Sequence, residues 1–187
     1  NAKKLAELRR ILAPAVPGLE VVGLDDVPPY DEVPETGETF EANALIKARE
    51  GHARTGLPTV ADDSGITVDA LNGMPGVLSA RWAGRHGDDE ANLRLVLAQV
   101  ADVPDERLGA AFECAVAYVH DGGEIVTRGR MPGRLVREPR GANGFGYDPI
   151  FVPDGHDRTS AELDSAAKDA ISHRGQALRE LGAKLGA

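Results

Sequence analysis

The chain has 187 residues, with 21 Lys and Arg against 30 Asp and Glu, a formal net charge of −9. That length fits one domain over residues 1–187 with a core of its own, and 42% hydrophobic with 27% charged residues excludes a disordered chain. The acidity excludes broad binding to nucleic acid polymers or anionic membranes, and a single cysteine, Cys114, excludes an intramolecular disulfide and a Cys-based zinc cluster.

No apolar run approaches the roughly 20 residues needed to span a bilayer, and no secretory segment opens the chain, so a cytoplasmic protein is expected. In chain order, Leu5, Leu8, Ile11 and Leu12 recur at helical spacing within residues 2–12, and Asn1 stands where an N-cap would stand. A helix capped by the first residue predicts that the natural chain extends upstream. Residues 21–24 predict a short strand, followed by an acidic, Pro-rich loop over 25–37. Thr39 caps a predicted helix that runs to about Arg54 and is ended by Gly56 and Pro58.

Residues 59–61 predict a buried strand that ends at Asp62-Asp63-Ser64-Gly65, and 66–71 alternate as a second, half-buried strand. A helix is predicted over about 89–100. The longest strand pattern covers 108–120, turns at Asp121-Gly122-Gly123 and returns over 124–130. A short strand follows near Leu135, then a glycine-dense loop over 141–146. Thr159-Ser160-Ala161-Glu162 reads as a capping box opening a helix, and a last helix is predicted over about 172–185. Interspersed helices and strands with a hairpin predict an α/β fold with a mixed sheet.

The chain contains no Gly-x-x-x-x-Gly-Lys-Ser/Thr loop, no Gly-x-Gly-x-x-Gly, no His-Glu-x-x-His and no Gly-x-Ser-x-Gly. Its strongest chemical feature is the adjacent pair Asp62-Asp63. Neighbouring carboxylates repel unless solvent or a cation receives them, and Mg²⁺ binds through one or two carboxylates with water and substrate phosphate completing its shell. Glu35, Glu38 and Glu41 bracket the start of the second helix, where the helix dipole also favours acids, and spacing selects none of the three. Asn1 with Lys4, Lys47, and Lys168 with His173 and Arg174 form three basic groupings able to meet an anion. The run Gly144-Phe145-Gly146-Tyr147-Asp148 offers close backbone approach, and Phe145 or Tyr147 a face on which a base could stack. The same run also reads as a tight loop with an aromatic plug.

The order of these motifs resembles the inosine/xanthosine triphosphate pyrophosphatase family, enzymes that remove deaminated purine nucleotides from the pool. The matching segments are Asn1-Ala2-Lys3-Lys4, Glu35-Thr36-Gly37, residues 40–47, Ala61-Asp62-Asp63-Ser64-Gly65, Pro75-Gly76, Ser79-Ala80-Arg81-Trp82, residues 144–149, Ala161-Glu162-Leu163, Lys168 and residues 172–178. The resemblance implies a long mixed sheet flanked by helices, two lobes with a central cleft, and a homodimer. It implies Mg²⁺-dependent attack of water on the α-phosphorus of inosine, deoxyinosine and xanthosine triphosphates, releasing pyrophosphate and a monophosphate. By the same resemblance Asp63 is the proton acceptor and a metal contact, with Glu35 and Asp62 also on the metal. Asn1, Lys4, Lys47 and Ser64 meet the triphosphate, and Phe145, Gly146, Tyr147 and Asp148 with Lys168, His173 and Arg174 form the base pocket. The family's first strand and the turn before its Asn are not in this sequence, which begins at Asn1; the expectation is an upstream segment rather than an incomplete first phosphate loop. The residues leave open two rivals, a pyrophosphatase for other modified nucleotides and a non-catalytic nucleotide-binding regulator.

Overall fold

Residues 2–186 are described by a computed structural model, so the expected cap Asn1 lies outside the described residues. The first helix, α1 (Ala2–Ala15), extends past the predicted end and carries Pro14 in its last turn. Helix α2 (Phe40–Thr55) starts where expected, because the Thr39 hydroxyl accepts from the Ala42 N–H, and it stops at Gly56 in the left-handed conformation. Helix α3 (Asp89–Gln99) is capped by the Asp88 side chain, which accepts from the Ala91 N–H. The last helix, α5 (His173–Leu185), turns Leu178 and Leu181 inward.

Four strands form one antiparallel sheet in the order β1-β2-β3-β4, from β1 (Thr59–Val68), β2 (Gly109–His120), β3 (Gly123–Leu135) and β4 (Phe151–Pro153). β4 pairs antiparallel with the far end of β3, with Gly133 opposite Pro153 and Leu135 opposite Phe151. The α/β class is therefore as expected, and the pairing runs between strands adjacent in sequence.

The chain divides into two compact units. One comprises Asn1–Asp63, Cys114–Gly129 and Arg174–Ala187; the other comprises Ser64–Glu113 and Arg130–His173. The first has a core of Leu12, Cys114, Val116, Ala177, Leu178 and Leu181. Burial there pushes the Cys114 thiol up to about 12, so it is a packing residue. The second is built on Ile66, Val68, Val96, Leu108, Phe112, Ile150 and Phe151, with Phe112 and Phe151 edge to face at 4.8 Å.

Several local expectations are corrected. Residues 21–24 form no strand: Val22 and Leu24 are exposed, Arg9 donates to the Val21 carbonyl, and the Gly23 N–H donates to the Asp26 carboxylate. The two strands predicted on either side of Asp62-Asp63-Ser64-Gly65 are one strand, β1, which carries the acids in its middle. The segments near 124–130 and 135 likewise join as β3, and the three-residue β4 is too short to show a pattern. Thr159-Ser160-Ala161-Glu162 is a turn, not a helix start. The Thr159 N–H does donate to Glu162, but the Thr159 hydroxyl is drawn to the Arg140 carbonyl, and helix α4 (Ser165–Ile171) starts later, capped by Asp164. β2 is expected to bury one side, Leu108, Ala110, Phe112, Cys114, Val116 and Tyr118, but Ala111, Ala115 and Ala117 on the other side are buried as well, while Tyr118 is only half-buried.

Gly65 lets the segment around Gly76 and Ser79 approach β1 closely. A Cβ there would lie 2.3 Å from the Ser79 hydroxyl and 2.5 Å from the Gly76 carbonyl. That hydroxyl accepts from the Ile66 N–H at 2.9 Å and donates to the Gly76 carbonyl at 2.6 Å, so it pins the Pro75-Gly76 turn against β1. No helix among the described residues is long and apolar enough to cross a membrane.

Candidate active site

Successive side chains of a strand point to opposite faces, so Asp62 and Asp63 on β1 meet different partners. Asp63 is buried and accepts from the Asn43 amide at 3.0 Å on Oδ2, while its Oδ1 lies 3.7 Å from the Lys47 ammonium. Asn43 and Lys47 are four residues apart on α2, hence on one face of that helix. Asn43 is fully buried, and its Oδ1 accepts from the Gly37 N–H at 2.7 Å. Lys47 also donates to Glu35 at 2.6 Å, so one ammonium joins two carboxylates. Burial works against the Lys47 charge, but the Glu35 hydrogen bond and Asp63 outweigh it and raise its pKa. Of the three acids bracketing α2, Glu35 is the one joined to Asp63 through Lys47; Glu41 pairs with Arg128, and Glu38 is exposed.

Asp62 meets cations. Lys4 of α1 donates to both its oxygens, at 3.2 and 3.0 Å, and Arg174 at the start of α5 donates to Oδ2 through Nη2 at 3.0 Å and Nε at 3.2 Å. Burial would raise the Asp62 pKa, but Arg174 and Lys4 together hold it below the usual carboxylate range. Arg174 Nη1 also lies 3.8 Å from Glu7, three residues beyond Lys4 on α1. Among the described residues, no three His, Cys, Asp or Glu side chains converge as a ready metal cage.

The second unit holds the aromatic loop. Asp148 is buried, and its Oδ2 accepts from the Phe145 N–H at 2.9 Å and from Lys168 at 2.5 Å. Gly144 permits this, because it adopts φ +77° and a Cβ there would sit 2.1 Å from the Asp148 carboxylate. Phe145 is 60% exposed, with the Lys168 ammonium 5.5 Å from its ring centre. Tyr147 is the plug: its ring is in the core and its hydroxyl donates to the Ser79 carbonyl at 2.7 Å. Of the two aromatic rings in the loop, Phe145 is the exposed one and Tyr147 the buried one. The Gly146 N–H donates to Asp89, and a cavity of about 350 Å³ opens beside the loop, lined by Asp89, Leu93, Asn143, Phe145 and Pro149 among others. His173 stacks on Phe112 at 5.1 Å, the two rings nearly parallel. Ser64 is half-buried on β1, directly after Asp63.

Three residues beside these side chains were not singled out in the sequence: Asn43, Glu7 and Phe112. Asn43 had a readable cue, an amide one helical turn before Lys47 in a segment otherwise turning Ala44 and Ala48 inward. Replacing it with Ala strands the Gly37 N–H and removes the donor to Asp63. The expected cost is about 2 kcal/mol of stability, read as a fall in thermal midpoint. An unchanged midpoint would mean that water takes over both bonds.

The Ham1 family model matches residues 1–184. The dITP/XTP pyrophosphatase of Nocardia farcinica is 70% identical over 183 residues, covering 97% of this chain and 89% of that protein. That of Mycobacterium tuberculosis is 64% identical over 179 residues, covering 95% and 88%. Among solved structures, the nucleoside-triphosphatase (dITP/XTP pyrophosphatase) of Mycobacterium abscessus aligns with TM-score 0.82 at 64% identity over 97% of this chain and 93% of that one. The Ham1 protein of Staphylococcus aureus aligns with TM-score 0.90 at 36% identity over 99% and 94%. Similarity of that extent, in sequence and in backbone, means that the chain belongs to the Ham1 family.

Proposed function

We propose that this chain hydrolyses deaminated purine nucleoside triphosphates, inosine, deoxyinosine and xanthosine triphosphates, to the monophosphate and pyrophosphate. The observation that carries the reading is the Asp63 carboxylate, buried and oriented by Asn43 beside the Lys47–Glu35 pair. The names of the similar proteins from Nocardia and Mycobacterium support it.

A divalent cation fits part of the acid set. Glu35 and Asp63 already share one positive group, the Lys47 ammonium, so the place between them is built for positive charge. Oxygen donors from two carboxylates suit a hard ion such as Mg²⁺, which completes its shell with water and phosphate. Glu35 and Asp63 are the residues that would hold it. When bound, Mg²⁺ supplies charge neutralisation at the phosphates and a template for the leaving group.

Asp63 accepts a proton from the attacking water as the water oxygen bonds to the α-phosphorus. The bond from that phosphorus to the bridging oxygen breaks, and pyrophosphate leaves with the electron pair. Asn43 keeps the Asp63 carboxylate in one orientation, which matters because proton transfer needs hydrogen-bond reach. Lys4, Lys47 and Ser64, with Asn1, meet the triphosphate.

Phe145 offers its exposed ring to the base. Asp148, Lys168, His173 and Arg174 supply polar groups for its edge, and Gly146 and Tyr147 contribute the loop backbone. A 6-keto group accepts hydrogen bonds where the adenine 6-amino group donates, so a donor such as Arg174 or His173 would go unpaired against adenine. A non-catalytic nucleotide sensor would need the loop but not the Asp63 arrangement, which disfavours that rival. The family reading also carries a homodimer in the cytoplasm.

Pyrophosphate release should be followed with inosine and adenosine triphosphates, with Mg²⁺ and after chelation. The expected kcat/KM for inosine triphosphate is at least about 100-fold the higher, and chelation abolishes turnover. Equal rates on the two nucleotides, or full activity without metal, would refute the proposal. Faster turnover of a different modified nucleotide would favour the sister pyrophosphatase instead.

A further inference from the structure

We infer that Asp62 is a positioning residue that ties the triphosphate-binding Lys4 to the base-reading Arg174, and that it is not a ligand of the metal. The inference rests on the proposed function for the roles of Lys4 and Arg174, and on geometry for the tie.

Asp63 takes Asn43 and Lys47 as its partners, whereas Asp62, the preceding residue of β1, takes a different set. Asp62 accepts four hydrogen bonds from cations, two from Lys4 and two from Arg174. Its Oδ2 serves both cations at 3.0 Å, which brings two positive side chains around a single oxygen. Without the carboxylate between them these groups repel, and each loses the acceptor that fixes its rotamer. Lys4 is on α1 and Arg174 begins α5, so residues 58 and 112 positions from Asp62 in the chain are registered by one side chain. Glu7 adds a second carboxylate to Arg174, at 3.8 Å from Nη1, and so restricts the guanidinium further.

Arg174 is also nearly enclosed, with a side chain only 10% exposed. Burial acts against its charge, and Asp62 is the foremost group that sustains it. A ligand group reaching Lys4 or Arg174 therefore meets a side chain whose direction is already set. Preorganisation of this kind lowers the ordering cost of binding and strengthens discrimination between bases. One carboxylate consequently acts on both KM and base selectivity, without touching the reacting phosphorus.

The test uses Asp62→Asn, Asp62→Glu and Glu7→Gln in the full chain. Three quantities are read: kcat and KM for inosine and adenosine triphosphates, binding of tripolyphosphate by calorimetry, and binding of Mn²⁺ alone by electron paramagnetic resonance. For Asp62→Asn, KM for inosine triphosphate should rise about tenfold, and its advantage over adenosine triphosphate should fall about tenfold. Tripolyphosphate binding should weaken by a similar factor, with Mn²⁺ affinity unchanged. Asp62→Glu should restore part of both losses, because charge is kept and only reach differs. Glu7→Gln should lower base selectivity while tripolyphosphate affinity stays near the wild type, since Glu7 faces Arg174 and Lys4 retains Asp62. A fall in Mn²⁺ affinity with selectivity intact would overturn the inference and make Asp62 a metal ligand.

If Asp62→Asn fails to fold, the Glu7→Gln selectivity result decides, and unchanged selectivity there overturns the tie through Arg174. Inactivity of the wild type on inosine triphosphate would instead refute the proposed function. The tripolyphosphate and Mn²⁺ readings would still report on Asp62.

Discussion

Replacing Asp63 with Asn is expected to lower kcat for inosine triphosphate about a thousandfold while KM moves by less than about threefold. The substitution removes the proton acceptor and one negative charge but keeps the shape. Its carbonyl oxygen can still accept from the Asn43 amide, which donates to Asp63 at 3.0 Å, so the orientation of the side chain is preserved. Lys47 retains Glu35 at 2.6 Å, and the local charge balance stays tolerable. A loss confined to kcat, with Mn²⁺ affinity retained, is therefore the signature of the base removed, whereas a parallel fall in Mn²⁺ affinity would report the loss of a metal ligand. Steady-state kinetics on both nucleotides, beside a thermal melt showing a folded protein, make the comparison. A variant retaining more than about a tenth of wild-type kcat would exclude Asp63 as the general base, since a positioned base contributes roughly 10²–10⁴.

The second large effect concerns stability. Gly65→Ala places a methyl group 2.3 Å from the Ser79 hydroxyl and 2.5 Å from the Gly76 carbonyl. The second of these is backbone, and the hydroxyl cannot rotate aside without giving up its bond from the Ile66 N–H. Ile66 itself is fully buried in the core, so β1 has no free direction in which to yield. Overpacking of this kind costs about 3 kcal/mol, which for a chain of this size lowers the thermal midpoint by about 10 °C. Differential scanning calorimetry reads it directly. A midpoint within about 2 °C of the wild type would show that the Pro75-Gly76 turn is free to move off the strand, contrary to the contacts described.

These two residues belong to one tetrapeptide, and they show what a sequence can and cannot disclose. The pair Asp62-Asp63 was legible as chemistry because adjacent acids next to an apolar strand need a reason. Its placement was not: the acids suggested a strand end, whereas each is absorbed in mid-strand by partners 16 to 112 positions away. Alternation along β1 then sends the two carboxylates to different partners, a division that adjacency in sequence conceals.

Helices α2, α3 and α5 were readable because their signals are local, a cap at Thr39 or the leucine row Leu178, Leu181 and Leu185. The supposed strand at 21–24 failed because β propensity without a sheet neighbour has nothing to pair with. The capping box at Thr159 failed for a related reason, since the Arg140 carbonyl, 19 positions away, captures the hydroxyl. In the loop, aromatic residues two apart looked equivalent, and only the hydroxyl bond to Ser79 separates the plug Tyr147 from the exposed Phe145. Asn43 went unnoticed because its role depends on Gly37 and Asp63 together, a combination visible only when α2 and β1 are folded.

The central claim is attack of water at the α-phosphorus assisted by Asp63, and the position of oxygen incorporated from solvent tests it most directly. Inosine triphosphate should be turned over in ¹⁸O-enriched water and the products resolved by mass spectrometry. The account predicts one ¹⁸O atom in inosine monophosphate and none in pyrophosphate. Label in pyrophosphate, or release of inorganic phosphate with inosine diphosphate, would contradict it.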